Sequence, residues 1–223
     1  MSRPHKITLG NMDLIPHMSG ALYVPDHETL IISDLHLEQG TSLARRGIHV
    51  PPFDTAVTLD VLESTLSTTH AKRLIFLGDS FHDGEGEERL DEAHLCRLRK
   101  ITTQFETLWI TGNHDPHPPQ SLGGKGAETT NLGPITLRHE PAKRLKHEIE
   151  IAGHLHPGCG LSLRGRHVRG KCFIADHRRL IMPAFGAYTG ALSIQSEAFD
   201  GLFDPEQTKI WMIGKNDLHR FTL

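Results

Sequence analysis

The run Leu30-Ile31-Ile32-Ser33-Asp34 stays apolar until it closes on a carboxylate, and the chain uses the same device twice more. Leu74-Ile75-Phe76-Leu77 runs into Gly78-Asp79, and Leu108-Trp109-Ile110-Thr111 runs into Gly112-Asn113. Short apolar runs without polar alternation fit strands buried on both faces. Each run therefore reads as an interior strand that delivers a polar residue at its carboxyl end.

The segments between these runs carry a different period. Asp54 to Leu66 opens on an aspartate suited to N-capping and places Ala56, Leu59, Leu62 and Leu66 at helical spacing. Glu87 to Ile101 does the same with Leu90, His94, Leu98 and Ile101. The order strand, helix, strand, helix, strand predicts a parallel or mixed sheet covered by helices, and such sheets bind ligands beyond the carboxyl ends of their strands. After Pro116 the character changes. A Pro/Gly-rich loop, His117 to Gly126, leads to strand-like runs at Ile135 to Arg138, Glu148 to Ala152, His167 to Ala175, Leu180 to Pro183 and Lys209 to Ile213, with Asp176-His177-Arg178 as a hairpin turn. No internal repeat or long linker divides the chain, so one α/β domain over residues 1–223, built from two sheets, is expected.

Composition narrows the function. No apolar run approaches the ~20 residues that cross a bilayer, and Met1 to Gly20 is broken by charge and proline rather than carrying a signal-peptide core. A cytoplasmic protein without a membrane partner is expected. Cys96, Cys159 and Cys172 form no Cys-x-x-Cys pair and leave one over, which argues against a disulfide framework and a thiolate zinc site. With a formal net charge of -3, the molecule as a whole offers no polycationic surface, so any affinity for an anion must be local. Histidine is abundant at 17 residues, and imidazole is both a common metal ligand and a proton carrier near neutral pH.

The histidines matter through their company. Read in order, the donors are Asp34-x-His36, Asp79, Asn113-His114-Asp115, His139 and His154-x-His156. Oxygen and imidazole donors suit a hard or borderline ion such as Mn²⁺, Fe²⁺ or Zn²⁺. Seven candidate ligands, Asp34, His36, Asp79, Asn113, His139, His154 and His156, are too many for one ion that must leave a position open for water. They suit two ions sharing a bridging carboxylate, a pair that activates water and neutralises phosphate oxygens. His114 follows a ligating asparagine and precedes Asp115, so it is expected to act as general acid, with Asp115 orienting its ring.

The blocks Asp34-x-His36, Gly78-Asp79, Gly112-Asn113-His114-Asp115 and Gly153-His154-x-His156 resemble the signature of the calcineurin-like metallophosphoesterase superfamily. The resemblance implies a four-layer αββα sandwich, with Asp34, His36 and His156 on one ion, Asn113, His139 and His154 on the other, and Asp79 between them. A narrower resemblance covers nearly the whole chain. Ser33-Asp34-Leu35-His36-Leu37-Glu38, Leu77-Gly78-Asp79-Ser80-Phe81-His82-Asp83, Leu137-Arg138-His139-Glu140-Pro141 and Pro183-Ala184-Phe185-Gly186-Ala187-Tyr188-Thr189-Gly190 are similar to the bacterial ligase-associated DNA damage response metallophosphoesterases. That likeness implies a manganese-dependent phosphodiesterase or endonuclease acting on DNA beside an ATP-dependent ligase and a helicase.

One departure concerns substrate. Many superfamily phosphatases place an arginine where Asp83 stands, and a carboxylate there offers no bidentate phosphate clamp, which favours phosphodiesters over monoesters. His82 is a candidate substrate contact. Arg164, Arg166, Arg169, Lys171, Arg178 and Arg179, and separately Arg45 and Arg46, are candidates for a backbone-phosphate track, weighed against ordinary solvated side chains. Competing readings are a phosphatase or nucleotide pyrophosphatase on a small substrate, and a non-catalytic protein-binding scaffold.

Overall fold

The structure is a computed structural model that describes residues 5–163 and 166–222, the side chains of 162, 163, 166 and 167 excepted. The first half supplies β1 (Ile7–Leu9), β2 (Met12–Pro16), β3 (Leu22–Val24), β4 (Thr29–Ile32), α1 (Gln39–Arg45), α2 (Asp54–Thr68), β5 (Arg73–Leu77), α3 (Gly86–Arg89), α4 (Glu92–Gln104), β6 (Glu106–Ile110) and β7 (Lys125–Ala127). Its strands form one sheet in sequence order, antiparallel from β1 to β4 and parallel from β4 to β7. The second half supplies β8 (Thr129–Leu132), β9 (Ile135–Arg138), β10 (Ile149–Ala152), β11 (Pro157–Leu163), β12 (Arg166–Ala175), β13 (Arg179–Ile181), β14 (Leu192–Ser193), β15 (Lys209–Ile213) and β16 (Leu218–Thr222). These make a second mixed sheet, ordered β14-β11-β12-β13-β10-β9-β8, with β15 and β16 branching from β12.

The apolar runs do what their lack of alternation predicts, because both faces of the first sheet's interior strands are covered. Ile31, Ile75, Leu77, Leu108 and Ile110 meet Leu137, Ile151, Phe173 and Leu180 between the sheets. Their neighbours Leu30, Ile32, Leu74, Phe76 and Trp109 pack outward on Leu59, Leu62, Leu66, Leu98 and Ile101 of α2 and α4. Phe76 and Trp109 stack at 4.1 Å within that outer layer. The result is an αββα sandwich. Its fourth layer is slim: a 3-10 turn at Glu197–Phe199, with Leu202 and Phe203, covers Cys172, Ile174, Ile181 and Met212.

Several expectations need revision. The single helix over Glu87 to Ile101 is two, because Asp91 adopts an extended backbone and its carboxylate caps a new start at His94 N. Asp54 is the first residue inside α2 rather than its cap, and its Oδ2 accepts from Gly40 N at 2.9 Å, tying α2 to α1. The run expected over Leu180 to Pro183 is the strand Arg179–Ile181 and stops short of Pro183. Strands β1 to β3 lie in a stretch whose mixed polarity hid them. The turn at Asp176-His177-Arg178 is present, its Asp176 Oδ1 accepting from the amides of Arg178 and Arg179.

Register decides where the ends meet. Strands β4, β5 and β6 are mutually parallel, as are β9, β10 and β13, so both sets point their carboxyl ends at one edge of the sandwich. At the opposite end of β13, Arg179 is 1% exposed and meets Glu150, 0% exposed, with Nε to Oε1 at 2.5 Å. Removing one charge from a buried pair strands the other. Glu150→Gln should therefore lower unfolding free energy by about 3 kcal/mol, read as an earlier midpoint in urea without a change in slope.

Candidate metal centre

All seven expected ligands lie at that shared edge. Asp34 follows β4, Asp79 follows β5, Asn113 follows β6, His139 follows β9, and His154 and His156 follow β10. The turns after these strands are tight enough that Asp34, His36, Asp79, His154 and His156 all have positive φ, between 45° and 66°. Non-glycine residues avoid that region unless surrounding structure holds them there. Backbone hydrogen bonds do the holding: Asp34 N donates to Gly78 O, His36 N to Asp79 O, and Gly153 N to His139 O.

Among these seven residues two groups of donors result. Asp34, His36 and His156 place ligand atoms within 4.8 Å of one another, and so do Asp79, His139 and His154. Asn113 joins the second through its Oδ1, 3.0 Å from His139 Nε2. Asp79 Oδ2 stands between the groups, 3.2 Å from His139 Nε2 and 3.7 Å from His36 Nε2. His156 Nε2 lies 3.1 Å from Asp34 Oδ1. Asp34 and Asp79 are each at most 1% exposed.

Burial alone would protonate these acids, but the surrounding imidazoles reverse it. For Asp34 the hydrogen bond and charge of His156, the charge of His139 and the Ser33 hydroxyl outweigh desolvation and hold the carboxyl below its ordinary range. Asp79 is drawn down to about 2, desolvation being overcome chiefly by its bond to His139. His139 is the counterpart, raised to about 9 despite burial by Asp79 and Asp34. His36 is pushed down to about 4 because its burial exceeds the pull of the same two acids. A cation entering this edge would displace the proton from His139, since a ligating imidazole is neutral.

A model of the calcineurin-like phosphoesterases matches residues 27–164, more than half of the chain and a span holding all seven donors. The chain belongs to the calcineurin-like phosphoesterase family. It is thus a metal-dependent hydrolase of phosphoesters, and the scaffold reading falls away. The crystal structure of the Pseudomonas putida nuclease MPE superposes with a TM-score of 0.74 at 27% identity, covering 95% of this chain and 98% of that one. A conserved uncharacterized protein from Streptococcus pneumoniae TIGR4, a predicted phosphoesterase, is matched over 87% of this chain and 97% of its own at 15% identity. Its TM-score of 0.31 is too low for its geometry to inform this one. Among curated proteins none matches.

The family implies divalent ions, and the phosphoesterase's side chains fit them. Two ionised carboxylates share a buried edge with imidazole nitrogens and have no Lys or Arg ion-pair partner among the described residues. The glycines of the motif blocks are close-approach residues. A Cβ on Gly112 would lie 2.1 Å from Asp79 Oδ1, and one on Gly153 would lie 1.8 Å from Ser33 Oγ and 2.5 Å from Asp34 Oδ2.

Other expected residues are placed differently. Asp115 does not orient His114: its Oδ2 accepts from the amides of Ser80 and Phe81, and burial raises it to about 7. The partner of His114 is the His82 carbonyl, 2.7 Å from Nδ1. The His82 ring lies 5.4 Å from that of His36 and 5.3 Å from that of His114. Asp83 is no bare carboxylate, for Arg89 grips it with Nη1 at 2.7 Å and Nη2 at 2.8 Å, which cancels the charge expected to repel monoesters. Arg45 pairs with Glu85, and Arg46 is exposed on the same rim.

The basic segment is not one track. Arg178 and Arg179 lie at the far end of the sheet, Arg179 is buried, and Lys171 is bound to backbone carbonyls. Arg164 lies outside the described residues, as does the side chain of Arg166. Ser33, whose Oγ donates to Asp34 Oδ2 at 2.5 Å, escaped notice as a functional residue, although its place directly before the aspartate was the available signal. Gly153→Ala should keep the fold but lose bound divalent metal, measured by elemental analysis after dialysis. Gly190→Ala, whose Cβ meets nothing within 4 Å, should retain it.

Proposed function

We propose that the phosphoesterase is a binuclear phosphodiesterase that cuts the nucleic-acid backbone, with DNA as substrate and Mn²⁺ as the preferred ion. The observation that carries this reading is Asp79 Oδ2, set between His36 on one side and His139 on the other, where a single carboxylate can serve two cations. Asp34, His36 and His156 would hold one ion, and Asn113, His139 and His154 the other. The likeness to a nuclease over 95% of the chain supports nucleic acid as the substrate class. A place in DNA repair beside an ATP-dependent ligase and a helicase rests on the motif resemblance, and a cytoplasmic location on the lack of a signal-peptide core in the sequence.

Bound divalent ions would supply an activated water at neutral pH and neutralise the phosphate's non-bridging oxygens during in-line displacement. The chain's own groups supply the rest. A carbonyl can only accept, so His114 Nδ1 carries the proton in its 2.7 Å bond to His82 O, and Nε2 is the nitrogen available to protonate the leaving alkoxide. His114 N also donates to Asp79 Oδ1 at 2.9 Å, which fixes the acid relative to the carboxylate that would serve both ions. Arg46, with Arg45 beside it, and the His82 ring would meet the substrate strand at the rim.

A small-substrate phosphatase or pyrophosphatase is the second reading, favoured by one observation: the Arg89 fork leaves Asp83 without the negative field that would turn monoesters away. A Mn²⁺-supplemented assay across single-stranded DNA, duplex DNA, RNA and nucleotide monoesters separates the two. Cleavage confined to monoesters or nucleotides would sink the nuclease reading.

Two variants test the assignments. Asp79→Asn should abolish activity and weaken uptake of both ions, because a neutral amide cannot serve two cations; two ions per chain with parental turnover would contradict the bridging role. His114→Ala should keep its metal and lose about 10²- to 10⁴-fold in rate on a natural diester. Activated aryl esters should suffer far less, and equal losses on the two substrates would remove the proton-donor role.

A further inference from the structure

Lys171 leaves β12 opposite Gly158 of β11, near the metal edge, and its half-buried ammonium donates to Ala184 O and Gly186 O, both at 2.8 Å. Those carbonyls belong to the segment that follows β13 and straps the second sheet onto the first. Phe185 N donates to Ser33 O at 2.9 Å, and Gly186 N to Asp34 O at 3.0 Å. The strap has no room to slide, since a Cβ on Gly186 would lie 2.1 Å from Leu35 O.

The bonds run in series through whole peptide units. Ala184 C=O, which accepts from Lys171, shares its peptide group with Phe185 N–H, which donates to Ser33 C=O. Ser33 C=O shares a peptide group with Asp34 N–H, which donates to Gly78 O at 3.2 Å. The last carbonyl belongs to the peptide group of Asp79. Hydrogen bonds in such a series polarise one another in the same direction, so a cation at the head strengthens each later bond. Asp34 and Asp79 are the two residues this series reaches, and both sit at positive φ, 56° and 47°, where their peptide planes need to be held.

We propose that Lys171 is a positioning residue of the metal centre, its ammonium anchoring a relay of hydrogen-bonded peptide groups that sets the backbone at Asp34 and Asp79. The inference rests on the metal-centre reading and deepens it. Lys171 makes no ion pair among the described residues. Its burial lowers its pKa to about 8, while the charge of Asp34 pulls the other way and favours the protonated form. The cation is therefore spent inside the molecule rather than on a DNA track.

The test is titration calorimetry of MnCl₂ into metal-stripped parent, K171M and K171R, with kcat and KM for bis(p-nitrophenyl) phosphate measured alongside. Outer partners of ligands are worth roughly 10- to 100-fold in metal affinity. Lys171 reaches the candidate ligands only through peptide groups, so K171M should bind Mn²⁺ more weakly by the low end of that range, about 10-fold, and kcat should fall at saturating metal while KM holds, because Lys171 does not touch substrate. K171R keeps charge and donors and should recover most of both. If K171M does not fold, Lys171→Gln carries the same comparison. A folded neutral variant with parental Mn²⁺ affinity and kcat overturns the proposal, as does K171R performing no better than K171M. A parent that takes up no Mn²⁺ would instead strike the metal-centre reading beneath it.

Discussion

Two carboxylates, Asp34 and Asp79, are taken out of water side by side at the edge where two sheets converge, and the surrounding architecture answers that burial. Like charges in a dry site repel and are poorly solvated, so they persist only where donors and countercharge are built around them. Here the answer comes from both halves of the chain. The first sheet supplies the acids and the backbone that pins them, and the second supplies His139, His154 and His156. Neither sheet holds a complete site alone, which explains why the parallel strands of both must end at the same edge. Ser33 then acts on Asp34 from behind, and the Lys171 strap would act on both acids.

Much of this was legible because burial leaves a plain trace in sequence. Strands β4, β5 and β6 were visible as unbroken apolar runs, since a strand covered on both faces cannot alternate. The motif blocks were visible because each ends such a run. Other features left no trace. The division between α3 and α4 depends on Asp91 choosing an extended backbone, and Leu90, one turn into a periodic stretch, gives no sign of it. The Asp83–Arg89 fork is set by how a four-residue helix turns back on its own loop, and spacing alone does not reveal that. Lys171 was misjudged for a simpler reason: a lysine among arginines reads as surface charge, whereas strand register carries it toward two carbonyls.

The fate of the basic residues changes the electrostatic picture. Arg179 neutralises Glu150, Arg89 neutralises Asp83, Arg45 meets Glu85, and Lys171 serves the strap. A charge held by an internal partner adds little to the field felt by an approaching polyanion. On the nucleic-acid reading, the field that draws a phosphate chain toward this edge would come mainly from bound ions and, among the described residues, from rim cations such as Arg46. Association should accordingly be governed by metal occupancy more than by surface charge.

The left-handed backbone at five of the candidate ligand positions bears on how this protein can change under selection. Glycine is at ease in that conformation and aspartate and histidine are not. At Asp34, His36, Asp79, His154 and His156 the side chain best for the fold differs from the one best for chemistry. A library of this chain selected for thermal survival alone should drift toward glycine at those five codons, shedding the ligands while the sandwich grows sturdier. Keeping them in place is work that only selection on turnover can do.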